Sequence, residues 1–176
     1  MDADELERLL EALEGRYFGK YRGEVTDNDD PLKEGRVQVK VPAVMGQETL
    51  WAMPCTPYAG PDVGFFAIPP VGARVWVEFE GGSPDHPIWA GCYWLAKQIP
   101  AADASPNVVF LRTPGASVRI EDSGTIEIET TGGSKLVLSG SEISLQSSTI
   151  KHSANGATTE LSASGFDALN GAFKVV

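Results

Sequence analysis

The stretch from Val118 to Ser148 constrains the fold of this chain more than any other. It reads VRIEDSGTIEIETTGGSKLVLSGSEISLQSS, a series of short alternating segments separated by turns rich in glycine and serine. Residues two positions apart in a strand share one face, so each segment predicts a short β-strand with one apolar side. The apolar pairs of the four segments are Val118 and Ile120, Ile126 and Ile128, Leu136 and Leu138, and Ile143 and Leu145.

This apolar side needs a surface to cover it. Two apolar residues per strand are too few for a sandwich layer, and we see no regular rung of the ~20 residues or more that a solenoid uses. Other copies of the chain remain. Three copies that turn these residues towards a common axis would form a three-sided β-prism, coated with Ser, Thr, Glu and Lys. We therefore predict a trimeric triangular β-helix for residues 117–176, intertwined so that strands pair between chains and leave few free edges.

The composition changes near residue 97. Twelve of the fifteen aromatic residues, including all four tryptophans, precede residue 98. We therefore place a compact domain at residues 16–96 and a linker rich in Pro, Ala and Ser at residues 97–116. Gly-interrupted short strands are predicted at 17–26, 36–41, 64–68, 74–80 and 87–94. Five bent strands favour an all-β fold with a Greek-key oligonucleotide/oligosaccharide-binding (OB) barrel.

An amphipathic helix is predicted for residues 1–15. Its apolar stripe consists of Leu6, Leu9, Leu10 and Leu13, at spacings of three and four residues. Two interpretations stay open. The stripe packs on the chain's own barrel, or it docks on a partner protein, because it is narrow and terminal.

Charge and composition exclude several classes of protein. The net charge of −10 opposes binding to nucleic acid and to anionic membrane surfaces. No apolar run approaches the ~20 residues that a membrane helix needs. The acidic start MDADELERLL is no secretory signal, so we expect assembly in the cytoplasm and export by another route. The two cysteines, Cys55 and Cys92, predict buried thiols rather than a disulfide scaffold.

No motif predicts catalysis or a cofactor. The DNDD segment at 27–30 lacks the Gly and Glu that a calcium loop requires, and we interpret it as a polar turn. Asp85 and His86 lie in a predicted hairpin loop, without a nucleophile elbow or a phosphate-binding loop elsewhere. His152 is a candidate for a metal ligand. If it shares a face with Ile150, three copies would meet on the axis of a trimer.

Three stretches together resemble a known family. They are YRGEVTDNDDPLKEGRVQVKVP at 21–42, WAMP at 51–54 and FFAIPPVGARVWVEFEGGSPDHPIWAGCYW at 65–94. The D-x-x-D-P turn before G-R-V, the P-x-x-G-x-x-V-x-V-x-F segment and the G-x-P-x-x-P-x-x-x-G segment resemble the OB domain of phage baseplate assembly protein V and central spike proteins. That family includes the spikes of contractile phage tails, tailocins and extracellular contractile injection systems, and the C-terminal half of the type VI valine–glycine repeat spike.

The resemblance implies a trimer whose barrels lie beneath a hub and carry a β-helical needle, often ended by a tip protein with a proline-alanine-alanine-arginine motif. The chain departs from the family in three respects. No lysozyme domain and no fused hub domain are present in it, so the hub should be a separate protein. The His-x-His tip motif is also absent, since Ile150 and Ala154 flank His152 at the positions concerned.

The sequence thus predicts the central spike of a contractile injection particle. In this interpretation the protein is no enzyme, carries no cofactor and meets a target membrane only on firing. The alternative is an OB module that binds single-stranded nucleic acid or oligosaccharide through its aromatic residues.

Overall fold

The computed structural model describes residues 3–175, without the side chains of Ala3, Leu6 and Leu9. The chain forms two compact units, the first ending at Gln98 and the second beginning at Ile99. Strands dominate both units, and the helices that the structure describes within residues 3–175 lie in the first.

The first unit contains helix α1, a closed barrel and a small hairpin. Helix α1 spans Ala3–Leu13, and a single turn, α2, spans Pro42–Met45. The barrel follows the order β1-β2-β3-β7-β6, and β4 pairs only with β5. The strands are β1 (Tyr21–Asp27), β2 (Val37–Lys40), β3 (Thr49–Pro54), β4 (Ala59–Gly60), β5 (Val63–Gly64), β6 (Arg74–Phe79) and β7 (Pro87–Tyr93).

Alternation of valines with polar residues builds the barrel. Every second side chain of β2 and β6 is buried, and its neighbours point outwards. Gly23 belongs to the inward set of β1, because a Cβ atom there would lie 2.9 Å from Cγ2 of Val77. The predicted five-stranded barrel is confirmed. Its buried apolar core consists of Val25, Val37, Val39, Val41, Ala52, Val75, Val77, Phe79 and Trp89.

One of the predicted barrel strands was wrong. The third strand is β3, which pairs with β2 and, in parallel, with β7, whereas residues 65–68 form no strand. Phe65 and Phe66 imitate the composition of a strand, but Phe66 is 79% exposed and the chain runs into two prolines. Cys55 and Cys92 are also exposed rather than buried.

A buried carboxylate organises the loop between β1 and β2. Asp30 accepts hydrogen bonds from the backbone N–H groups of Leu32, Glu34 and Arg36, at 3.0, 2.8 and 3.2 Å. The Arg36 guanidinium donates to the same carboxylate, with Nη2 2.7 Å from Oδ1. This ion pair, together with the backbone bonds, holds the pKa of Asp30 well below its usual range. The DNDD segment is thus a structural turn, with its buried carboxylate already occupied.

The second unit consists of two antiparallel meanders. The first sheet has the order β12-β11-β10-β9-β8 and the second the order β13-β14-β15-β16. Within each sheet, strands adjacent in sequence pair with each other. The strands are β8 (Val108–Arg112), β9 (Ala116–Glu121), β10 (Ile126–Thr130), β11 (Lys135–Leu138), β12 (Ile143–Gln146), β13 (Thr149–Ala154), β14 (Ala157–Ser162), β15 (Gly165–Ala168) and β16 (Phe173–Val175).

The stretch predicted as a linker contains the first strand of this unit. Strand β8 pairs with β9 from Val108↔Glu121 to Arg112↔Ser117, so the sheet begins at Val108 rather than at Ser117. The residues just before it form a strap, residues 99–107, which carries the buried Asp103. The Asp103 carboxylate lies 2.9 Å from Nη2 of Arg112 and 3.3 Å from Nε of Arg119, and these ion pairs fasten the strap to the sheet.

The Asp30 turn generates a testable prediction. Asp30→Asn keeps an acceptor oxygen but removes the charge, and we expect it to lower the Tm of the barrel by several degrees at pH 7. A carboxyl whose pKa is depressed on folding stabilises the fold above its unfolded value of 3.8, and this stabilisation is lost as the pH falls towards the folded value. The Tm difference between wild type and variant should therefore shrink below about pH 4. Circular dichroism melting at several pH values measures it.

Asp29→Asn is the matched control. Its carboxylate pairs with Lys33 on the surface of the same turn, where both side chains are exposed. Exposed pairs contribute little, so this variant should melt close to wild type. Equal Tm losses for the two variants, or a difference independent of pH, would contradict the role given to Asp30.

Candidate functional site

The eight apolar residues predicted as a prism core lie on one face of the first sheet. They form two parallel rows, because each residue is in register with its counterpart on the next strand. One row is Ile120, Ile126, Leu138 and Ile143, and the other is Val118, Ile128, Leu136 and Leu145.

Strand β8 extends both rows by residues that the sequence analysis missed. Val109 pairs with Ile120, and Leu111 pairs with Val118. The alternation in VVFLR carries this signal, but the neighbouring prolines favoured a linker. These two residues and the eight above make up what we call the aliphatic face, with ten residues on five strands.

The aliphatic face is open. Among the residues that the structure describes from Ile99 onwards, no apolar side chain is buried. Ile143 is 73% exposed and Val109 67% exposed. Monomeric proteins rarely expose so continuous an apolar surface, and such surfaces mark interaction sites.

The opposite face of the same sheet is polar and partly covered. The strap lies against it through Asp103, which bonds Arg112 and Arg119. Lys135 forms an ion pair with Glu127 at 2.7 Å, and this hydrogen bond raises the pKa of the lysine. The sheet therefore has its charged face partly covered while its hydrocarbon face lacks cover, which is the reverse of a sheet that folds alone.

The second sheet continues the pattern with larger side chains. One row contains Ile150, Leu161, Phe166 and Val175, and the next contains His152, Thr159, Ala168 and Phe173. The Phe166 and Phe173 rings meet edge to face, with centroids 6.3 Å apart.

His152 lies on the same side of β13 as Ile150, as the metal hypothesis requires. One chain offers a single imidazole at this point. The described residues contain no group of three His, Cys, Asp or Glu side chains placed to hold a metal ion. A metal at His152 would therefore need ligands from further copies.

Helix α1 presents part of its predicted stripe to solvent. Leu10 is 61% exposed and Leu13 55% exposed, while the side chains of Leu6 and Leu9 lie outside the described residues. The chain is fastened just after the helix, where the N–H of Tyr17 donates to the Gly82 carbonyl at 2.8 Å. No helix in the described part of the chain is long and apolar enough to cross a membrane.

The outer barrel surface carries aromatic rings of the kind that can stack on bases or sugars. Trp76 and Tyr93 lie 4.8 Å apart by their centroids, and the Arg22 guanidinium lies over both rings at 5.7 and 5.5 Å. Trp51 is likewise covered by Arg36 at 5.6 Å. These rings are engaged with the chain's own arginines, so they offer few free platforms for bases or sugars.

Comparison with known proteins gives one family. Residues 21–94 match the family model described as the type VI secretion system/phage-baseplate injector OB domain, and the match runs from β1 through β7. No curated protein matches the sequence. The matched segment contains every strand of the closed barrel, which confirms the resemblance drawn from the sequence. Over residues 21–94, which hold the barrel, the chain is thus similar to the type VI secretion system/phage-baseplate injector OB domains.

Proposed function

We propose that this protein is the homotrimeric central spike of a contractile injection particle, such as a phage tail, a tailocin or an extracellular injection system. The family of the barrel supports a structural role in a baseplate. The observation that carries the finer proposal is the open aliphatic face, which one chain leaves without cover.

Copies of the same chain suit this face better than an unrelated protein does. Identical residues approach each other at a symmetry axis, so a charged residue there would meet its own charge. The ten residues of the aliphatic face include no charged or polar side chain, whereas the opposite face carries Arg119, Glu127 and Lys135. Two inward residues per strand also match the narrow interior of a three-sided prism.

The free energy available is sufficient for stable association. Full burial of a Val, Leu or Ile side chain stabilises by ~1.5–3 kcal/mol. If about half of this is realised, ten residues contribute roughly 10 kcal/mol per chain. Three chains then contribute about 30 kcal/mol. Forming a trimer takes two association steps, each estimated to cost ~4–15 kcal/mol in translational and rotational freedom, so the burial matches or exceeds the total cost.

The proposed role is mechanical. A stiff, narrow needle concentrates force on a small area of the target membrane when a sheath contracts. The barrel and helix α1 join the needle to a separate hub protein, and the stripe of Leu6, Leu9, Leu10 and Leu13 is the proposed hub-docking surface. A tip protein with a proline-alanine-alanine-arginine motif is the proposed partner at the far end. Neither catalysis nor nucleic-acid binding is part of this function.

The substitution Ile128→Asp tests the trimer. It would bring three carboxylates together on the axis, and we expect trimers to dissociate or the Tm to fall by 10 °C or more, because an unpaired buried charge costs several kcal/mol. Light scattering on the purified protein should give three times the 18.8 kDa of one chain for wild type and a lower mass for the variant.

Val137→Asp is the matched control for this experiment. Val137 is the residue next to Leu136 and lies on the polar face, in register with Glu127 and Ser144. The same change in charge, with a slightly smaller loss of volume, should leave this variant trimeric. A wild-type protein that is monomeric, or an Ile128→Asp variant with unchanged mass and melting, would refute the proposal.

A second prediction separates the two interpretations of helix α1. If Leu10 and Leu13 serve a partner protein, replacing both with Ser should leave the Tm and the mass of the isolated protein unchanged. Val39→Ala, in the barrel core, should instead lower stability by about 2 kcal/mol. Differential scanning calorimetry compares the two. A similar loss in the double Ser variant would show that the stripe packs on the protein itself.

A further inference from the structure

The two lateral sides of the five-stranded sheet differ in composition. In a meander, successive turns lie on alternate sides of the sheet. Residues 122–125 and 139–142 therefore form turns on one side, and residues 113–115 and 131–134 form turns on the other. We call the first the acidic side and the second the basic side, for the charges described next.

The acidic side carries carboxylates without a matching number of cations. Its charged residues, in the turns and near the adjoining ends of the strands, are the four carboxylates Glu121, Asp122, Glu127 and Glu142 and one cation, Arg119, which is in register with Glu127. The basic side carries Arg112 and Lys135 with one carboxylate, Glu129, and its turns contain no charged residue. Some of these charges already have partners, since Lys135 reaches Glu127, Arg119 reaches Glu121 and Arg112 reaches Asp103. The difference in net charge between the two sides remains.

The turns on both sides are small enough for close approach. The acidic side has Ser123 and Gly124, and the basic side has Gly132 and Gly133. Gly124 and Gly133 have open space where a Cβ atom would lie, and both have positive φ angles, 89° and 87°. Glycine therefore meets the backbone requirement of each turn and adds no bulk at its tip.

The inner strands have no need of partners from another chain. Strands β9, β10 and β11 are each hydrogen-bonded on both edges within the chain, and only β8 and β12 have a free edge in this sheet. Exchange of strands between copies would break these ladders to form equivalent ones, with no gain in hydrogen bonds.

We propose that the acidic side of one copy's sheet docks against the basic side of the next copy's sheet. This inference rests on the proposed trimer and specifies how it closes. Three single-chain sheets stand side by side around the axis, each forming one wall of the prism, and the aliphatic faces point inwards. The intertwining predicted from the sequence is thereby replaced, for β8–β12, by contacts between turns at the three corners.

Charge also decides the symmetry. A contact of the acidic side with its own kind, as in a two-fold dimer, would bring two surfaces of net negative charge together, since each side carries four carboxylates and the single cation Arg119. Contact between unlike sides is heterologous, and heterologous contacts generate closed rings when the rotation closes. Three walls whose faces meet at an axis satisfy both the charge pattern and the need to cover the aliphatic face.

Engineered cysteines test the corner contact. The background is the full chain with Cys55→Ser and Cys92→Ser, after its mass has been shown to equal that of wild type. Ser123→Cys and Thr131→Cys are then introduced together. The two positions lie at opposite ends of β10, whose five residues span roughly 15 Å at about 3.3 Å per residue. A disulfide tolerates at most about 7 Å between Cα atoms, so these two cysteines cannot bridge within one chain.

Two further pairs allow for a shift along the axis. They are Ser123→Cys with Thr113→Cys, and Ser141→Cys with Thr131→Cys, each combining one turn from either side. After mild oxidation, we expect at least one pair to give covalent trimers on a non-reducing gel. The single-cysteine variants are the controls and should stay as monomers on the gel, because a corner brings together unlike sides only.

The outcomes separate this inference from the proposed function. Covalent trimers from a double variant, with uncross-linked single variants, support the side-by-side walls. A protein that is trimeric by light scattering but forms no covalent trimer from any of the three pairs overturns the corner contact and leaves the trimer standing. Covalent dimers from a single-cysteine variant show that like sides meet, which also overturns it. A monomeric background protein refutes the trimer itself.

Discussion

An apolar sheet face that its own chain does not cover is the constraint on which the second unit depends. The polar face of the first sheet is partly covered by the strap and its buried Asp103, and the apolar surface that still needs cover lies on the aliphatic side. Short strands and small turns follow from the same constraint, because a narrow space admits two inward residues per strand and little bulk at the corners. Association with further copies, as proposed above, would cover this face and complete the fold of the unit.

The barrel solves the same physical problem within one chain. Its five strands also alternate apolar and polar residues, but the sheet closes on itself, so Val37, Val39, Val75 and Val77 face one another in a common interior. Closure removes the free edges as well as the open face. The difference between the units lies in the bending of the strands. Gly23 and the register shifts between β1 and β2 and between β6 and β7 let the barrel sheet curl and close.

Strands in which apolar and polar residues alternate regularly could be placed from the sequence. Strands with irregular burial, and loops with the composition of a strand, could not. Strands β2 and β6 and the rows from Val118 to Leu145 follow from alternation alone, because burial on one face selects the apolar type. Strand β3 was missed because its burial is irregular along TLWAMP, and it is held by pairing with distant β7. Residues 65–68 were mistaken for a strand because aromatic residues are enriched in strands but also occur in exposed loops. Asp103 could not be foreseen, since its role depends on arginines that only the folded sheet brings together.

The arrangement of strands bears on the mechanical role proposed for the chain. In the proposed side-by-side prism the strands lie across the axis, so the hydrogen bonds that join neighbouring strands from β8 through β12 would point along it. A thrust on such an object compresses ladders that belong to a single chain and loads the short turns at the corners. The aliphatic interior opposes buckling of each wall, because a wall that bends outwards exposes the two rows to water. In this arrangement hydrogen bonds between strands give stiffness along the axis, and hydrophobic burial holds the three walls together across it. Because the two properties come from different interactions, either can be strengthened without weakening the other.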